Sequence, residues 1–174
     1  MDLGIDGKVA LVTGASSGLG RACARALAAE GVSVALIARR GEELSRVAAE
    51  IAAESKRRVL PLVADVTDSD ATAAAVAEAR ATLGPIDILV ANAGGPPSTT
   101  FETTTYKQYV TAIELNLLSS IRLAQLVVPA MRKQQWGRVL FLTSTAAKQP
   151  FASLILSNTA RAGLAAFAKT LATE

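Results

Sequence analysis

Short apolar runs alternate along this chain with longer stretches whose apolar residues recur every three or four positions. Residues 8–13 (KVALVT) are rich in β-branched residues, end in a glycine cluster and predict a first strand. Residues 18–30 are rich in alanine and leucine and close on Gly31, which suits a helix end. The pattern then repeats, with a strand over 32–38 (VSVALIA), a helix over 42–55 and a strand over 58–64. Residues 69–83 predict a helix behind a polar cap, and 86–91 (IDILVA) a fourth strand introduced by Gly84-Pro85. One long helix is expected from about 103 to 133, with Tyr109, Ile113, Leu117, Ile121, Ala124 and Val128 on its apolar face. Tyr106 and Tyr109 are expected to pack at its start. Residues 137–144 (GRVLFLTS) predict a fifth strand, and 153–173 a last alanine-rich helix.

Strands that alternate with helices form βαβ units, so the expected fold is α/β, a doubly wound parallel sheet. The 174 residues suit one domain over 1–174, and no linker or repeat divides them. Aromatic residues make up only 4% of the chain, so the core must be aliphatic, as in strands buried on both faces. The net charge of +3 is dispersed, which argues against a nucleic-acid surface. Cys23 is the lone cysteine and histidine is absent, so neither an intramolecular disulfide nor a metal site is expected. Proton chemistry must then fall to hydroxyls, carboxylates or lysine. No apolar leader follows Met1, and no run is expected to span a bilayer, so the expectation is a cytoplasmic protein without a membrane partner.

The chemistry-bearing feature lies between the first strand and helix, at Thr13-Gly14-Ala15-Ser16-Ser17-Gly18-Leu19-Gly20. Gly14 permits a tight turn, Gly18 lets backbone approach a pyrophosphate, and Gly20 lets the helix pack close to the sheet. The helix start offers free N–H groups and partial positive charge to phosphates. A P-loop is disfavoured because its Lys-Ser/Thr pair is missing. A methyltransferase loop and a purely structural turn remain open on the loop alone.

The spacing T-G-x-x-x-G-x-G resembles that of the short-chain dehydrogenase/reductase family, and the match spans essentially the whole chain. Asp65-Val66 resembles the family's adenine-contacting pair, and Asn92-Ala93-Gly94 its NAG motif. Asn116 falls where the family has an asparagine in the long helix, and Ser144 where it has a catalytic serine. The branch it resembles most is the 3-oxoacyl-acyl-carrier-protein reductases. The resemblance implies strand order 3-2-1-4-5 and a cofactor site of Gly14, Ser16, Ser17, Gly18, Leu19, Asp65, Val66, Asn92, Ala93 and Gly94. It further implies reduction of a carbonyl substrate and self-association, as a dimer or tetramer, through the 103–133 and 153–173 helices.

The second strand ends Ala38-Arg39-Arg40 with no carboxylate before Glu42. An arginine there favours the 2′-phosphate, so the expected cofactor is NADP(H), with Arg39 as main contact and Arg40 beside it.

The family's Tyr-x-x-x-Lys pair is replaced by Ser157 and Arg161, at the spacing that puts both on one helix face. The resemblance implies that the tyrosine position transfers the proton and the lysine position holds the nicotinamide ribose. Serine is a far weaker acid than a phenol, and arginine keeps the charge with different geometry. Three readings follow. The chain is a reductase that protonates through water held by Ser144 and Ser157, or through Tyr106, Tyr109 or Lys148. It is an NADP(H)-binding pseudo-enzyme, acting as sensor or structural subunit. Or the two residues are ordinary helix positions in a degenerate site. Family members also continue past this length with further strands, so an exposed, adhesive edge is expected at the fifth strand.

Overall fold

The computed structural model describes residues 2–174. Its sheet has five parallel strands: β1 (Val9–Thr13), β2 (Ser33–Ala38), β3 (Val59–Val63), β4 (Ile88–Ala91) and β5 (Arg138–Phe141). They lie in the expected order β3-β2-β1-β4-β5. The helices between them are α1 (Gly18–Ala29), α2 (Gly41–Ser55), α3 (Ser69–Leu83), α4 (Tyr106–Ile113) and α5 (Ser119–Lys133), and α6 (Ile155–Leu171) follows β5.

The central strands are almost wholly apolar because both faces are covered, with only Ser33 and Thr13 polar in β1 and β2. Ala10, Val12, Val34 and Leu36 point to one face and pack on Ala24, Ala28, Leu44, Val47 and Ile51 of α1 and α2. Leu11, Ala35, Ile37 and Leu89 point to the other, against Ala75, Val76 and Ala79 of α3 and Leu123, Val127 and Met131 of α5. The chain winds from β1 outward to β3, then returns to start β4 on the other side of β1. The ends of β1 and β4 therefore part around a crevice, the ligand position of open α/β sheets.

The single long helix expected over 103–133 is two helices joined by a π-helical turn at Glu114–Leu118, where Ser119 N donates to Glu114 O. Such turns concentrate at functional sites. The buried stripe also differs from the expected one: Ala112, Asn116, Ser119, Ser120, Leu123, Ala124, Val127 and Met131 face inward. Only Ala124 is common to both. Small polar residues are buried here, with Ser119 Oγ satisfied by donating 2.6 Å to Leu115 O, so hydrophobicity alone misplaces the face. Tyr106 does not pack at all, being 83% exposed.

Segment Tyr106–Lys133 is also long and apolar enough, by length and composition, to cross a membrane, contrary to the sequence expectation. Its residues Leu123, Val127 and Met131 instead lie in the sheet core, and it carries Pro129 and the π turn.

Strand β5 is shorter than expected, and Ser144 lies beyond it as the N-cap of a 3-10 turn at Thr145–Ala147. Among the described residues β5 pairs only with β4, and Leu140 on it is exposed.

Candidate active site

The crevice at the strand ends is a cleft of about 470 Å³ lined by the glycine loop, the ends of β2 and β3, residues 92–95 and Leu115. That volume lies in the range of small-molecule sites. A groove of about 500 Å³ beside Trp136 and Leu171 borders the opposite, N-terminal end of β5 and holds none of the expected residues.

Gly14, Ser16, Ser17 and Leu19 line the cleft directly. Gly18 has φ +54° and nothing within 4 Å of where a Cβ would stand, so the backbone there is bare toward any ligand. Gly20 is the reverse: a Cβ would lie 2.3 Å from Gly14 O and 2.9 Å from Asn92 Nδ2. Helix α1 can approach β1 and β4 only because that side chain is missing. Its N-cap, Ser17, makes no side-chain cap hydrogen bond, so first-turn N–H groups remain free for an anion.

Asn92 joins loop to sheet. Its Nδ2 donates 3.3 Å to Gly14 O, its N–H donates 2.9 Å to Thr13 Oγ1, and Thr13 Oγ1 donates 2.8 Å to Asn92 O. Thr13 opens the glycine motif in the sequence, but its role as a positioning residue, tied to Asn92 across the sheet, is seen only in the structure.

The two arginines after β2 differ. Arg40 Nη2 donates 3.1 Å to both Ser16 Oγ and Ser17 Oγ, while Nη1 pairs with Glu43 at 2.7 Å. Arg39 turns the other way and pairs with Asp65 at 3.6 Å. The Thr67 N–H and hydroxyl, with Arg39, hold the Asp65 carboxyl below the usual carboxylate range against a smaller opposing effect of burial. Arg122, also missed, donates 3.0 Å to Val66 O and 2.8 Å to Glu114, tying that wall to the π turn. Ala93 and Gly94 complete the cleft.

The second cluster lies where β5 meets α6. Asn116 Nδ2 donates 2.8 Å to Gly94 O, which links it to the cleft. Its Oδ1 is buried without a partner. Ser144 Oγ accepts 3.1 Å from Ala146 N and keeps its proton free. Ser157 and Arg161 are buried one turn apart on α6, each 8% exposed, and Arg161 Nη1 donates 2.7 Å to Leu142 O. Burial pushes the Arg161 pKa down, yet a guanidinium stays charged. Tyr106 and Lys148 are exposed. Among the described residues no three His, Cys, Asp or Glu side chains gather to hold a metal ion.

An adenine dinucleotide fits this donor set. The bare Gly18 backbone and uncapped helix would receive the pyrophosphate, and Asp65, Val66 and Asn92 the adenosine.

A family model described as short chain dehydrogenase matches residues 8–174. The chain is 34% identical over 172 residues to the 3-oxoacyl-acyl-carrier-protein reductase of Escherichia coli, covering 99% of this chain and 69% of that protein. It is 36% identical over 174 residues to a short chain dehydrogenase of Pseudocercospora fijiensis and spans 55% of that protein's length. L-Sorbose reductase of Gluconobacter frateurii, solved with NADPH and L-sorbose, superposes with a TM-score of 0.95 at 37% identity, over 99% of this chain and 66% of the other. Sheet order, loop and comparisons agree, and the chain belongs to the short-chain dehydrogenase/reductase family of oxidoreductases.

Proposed function

We propose that residues 1–174 form one NADP(H)-binding unit of a carbonyl reductase. The observation that carries this reading is Arg40, held by Ser16 and Ser17 at the uncapped start of α1. A guanidinium and two hydroxyls at the rim of an adenosine cleft suit a 2′-phosphate and gain little from a neutral 2′-hydroxyl. Arg40 makes the main contact and Arg39 a second, outer one. The NADPH in the sorbose reductase structure supports this choice.

When bound, NADPH supplies a hydride to the carbonyl carbon. Ser144 donates to the carbonyl oxygen, which takes the π electron pair. The oxygen receives its proton from a water held by Ser144 and Ser157, and the hydroxide left behind is reprotonated from solvent. Arg161 adds a fixed positive charge beside the developing oxyanion.

Replacement of the family tyrosine by Ser157 favours a second reading, an NADP(H)-binding sensor or structural subunit that turns over poorly. Single-turnover oxidation of NADPH at 340 nm, with a panel of ketones, oxo acids and 3-oxoacyl thioesters, separates the two. Cofactor oxidation by any member supports the reductase, and tight binding without oxidation supports the subunit.

Self-association runs through α4, α5 and α6 in this reading, with Tyr106 and Val110 exposed on α4 and Leu118 exposed on the π turn. The cytoplasm is the proposed location.

A further inference from the structure

Arg161 is the only charged side chain in the buried set of the described residues. No carboxylate pairs with it there. Its one protein partner is neutral, the Leu142 carbonyl at 2.7 Å. Buried charges are ordinarily paired, because desolvation without a counter-charge is costly. Two further polar groups are left over, one on α6 and one on the π turn packed against it. Ser157, one turn back on the same face, makes no side-chain hydrogen bond among the described residues, and Asn116, a residue only 2% exposed, has a buried Oδ1 without a partner. No Arg161 nitrogen is among the sealed, unpartnered atoms, so the donors not used on Leu142 reach accessible space.

We propose that Arg161 receives a substrate carboxylate adjacent to the carbonyl, so that the substrates are oxo acids. This rests on the reductase reading above and narrows it. With one Nη1 hydrogen on Leu142, the guanidinium keeps a planar Nε–Nη2 edge, whose two parallel donors match a carboxylate. One positive charge balances one negative charge, which suits a carboxylate better than a phosphate. A ribose hydroxyl would leave the charge uncompensated, and so would a neutral ketone or thioester. Ser144 and Ser157 would then serve the neighbouring carbonyl oxygen.

The test compares benzoylformate, an aromatic 2-oxo acid, with its uncharged methyl ester, by NADPH oxidation and by calorimetric binding to the NADP⁺-loaded protein. A charge-assisted pair predicts about a 10- to 100-fold preference for the acid in kcat/KM or Kd. Arg161→Gln should bring that ratio to about 1, and Arg161→Lys should keep part of it. Circular dichroism and NADPH affinity report whether each variant is folded, and the wild-type ratio needs no variant. A wild-type ester preference, equal use of both, binding of neither, or a preference that survives Arg161→Gln overturns the proposal. If NADPH itself does not bind, the reductase reading falls first and takes this one with it.

Discussion

Replacing Gly20 by alanine separates a packing requirement from ordinary helix propensity. Gly20 lies in α1 with helical backbone, so on propensity alone alanine would stabilise by up to about 1 kcal/mol. The added Cβ would stand 2.3 Å from Gly14 O, whereas ordinary contact begins at 3.4 Å. Helix and loop must part by about 1.1 Å, and both obstructing atoms nearest the Cβ are backbone. Overpacking of this kind costs about 1–3 kcal/mol, which leaves a net loss of up to about 2 kcal/mol. For a chain this size that lowers Tm by up to about 8 °C. The binding effect is larger. Moving the free N–H groups of α1 by an ångström breaks at least one charge-assisted hydrogen bond to the pyrophosphate, so the NADPH Kd should rise at least about tenfold. Thermal unfolding followed by circular dichroism, with fluorescence titration of NADPH, reads both effects. A Gly20→Ala protein with unchanged Tm and unchanged NADPH affinity would refute the close-approach argument.

Three further outcomes are expected. Arg40→Ala should weaken NADPH about 10- to 100-fold while leaving NADH affinity within about twofold, as read by calorimetry. Ser157→Tyr combined with Arg161→Lys should raise turnover of neutral ketones by about 10²-fold or more, the usual worth of a positioned acid; no gain would show that more than the acid is missing. Asp65 has a lowered pKa, so its ionised form stabilises the fold at neutral pH, and that contribution disappears as pH falls through the folded-state pKa. Asp65→Asn should therefore lower Tm at pH 7 and lower it progressively less below pH ~4, a trend measurable by scanning calorimetry.

The centre of the sheet was legible because β1 and β2 are buried on both faces and read as apolar runs, from Val9 through Val12 and from Val34 through Ala38. The glycine loop was legible for a related reason. Its residues answer to backbone geometry, and the Gly20 contact with Gly14 allows no substitute. The long helix was misread where polar residues do the packing, since Asn116, Ser119 and Ser120 are buried and Tyr106 is not. Nothing in the spacing announces the π turn that brings Asn116 to Gly94. The different placement of the Arg39 and Arg40 side chains was equally hidden. It depends on which way the chain turns into α2, where Arg40 as N-cap swings back over the loop while Arg39 leans to Asp65. Replacement of the tyrosine and lysine was visible at once, but only the structure shows Arg161 buried without a counter-charge.

The most direct measurement is a calorimetric titration of the protein with NADPH and, separately, NADH. A glycine loop that seats a pyrophosphate beside Arg40 predicts saturable heat with NADPH and binding about tenfold or more weaker with NADH. Absence of heat with both dinucleotides, or equal affinity for the two, would contradict it.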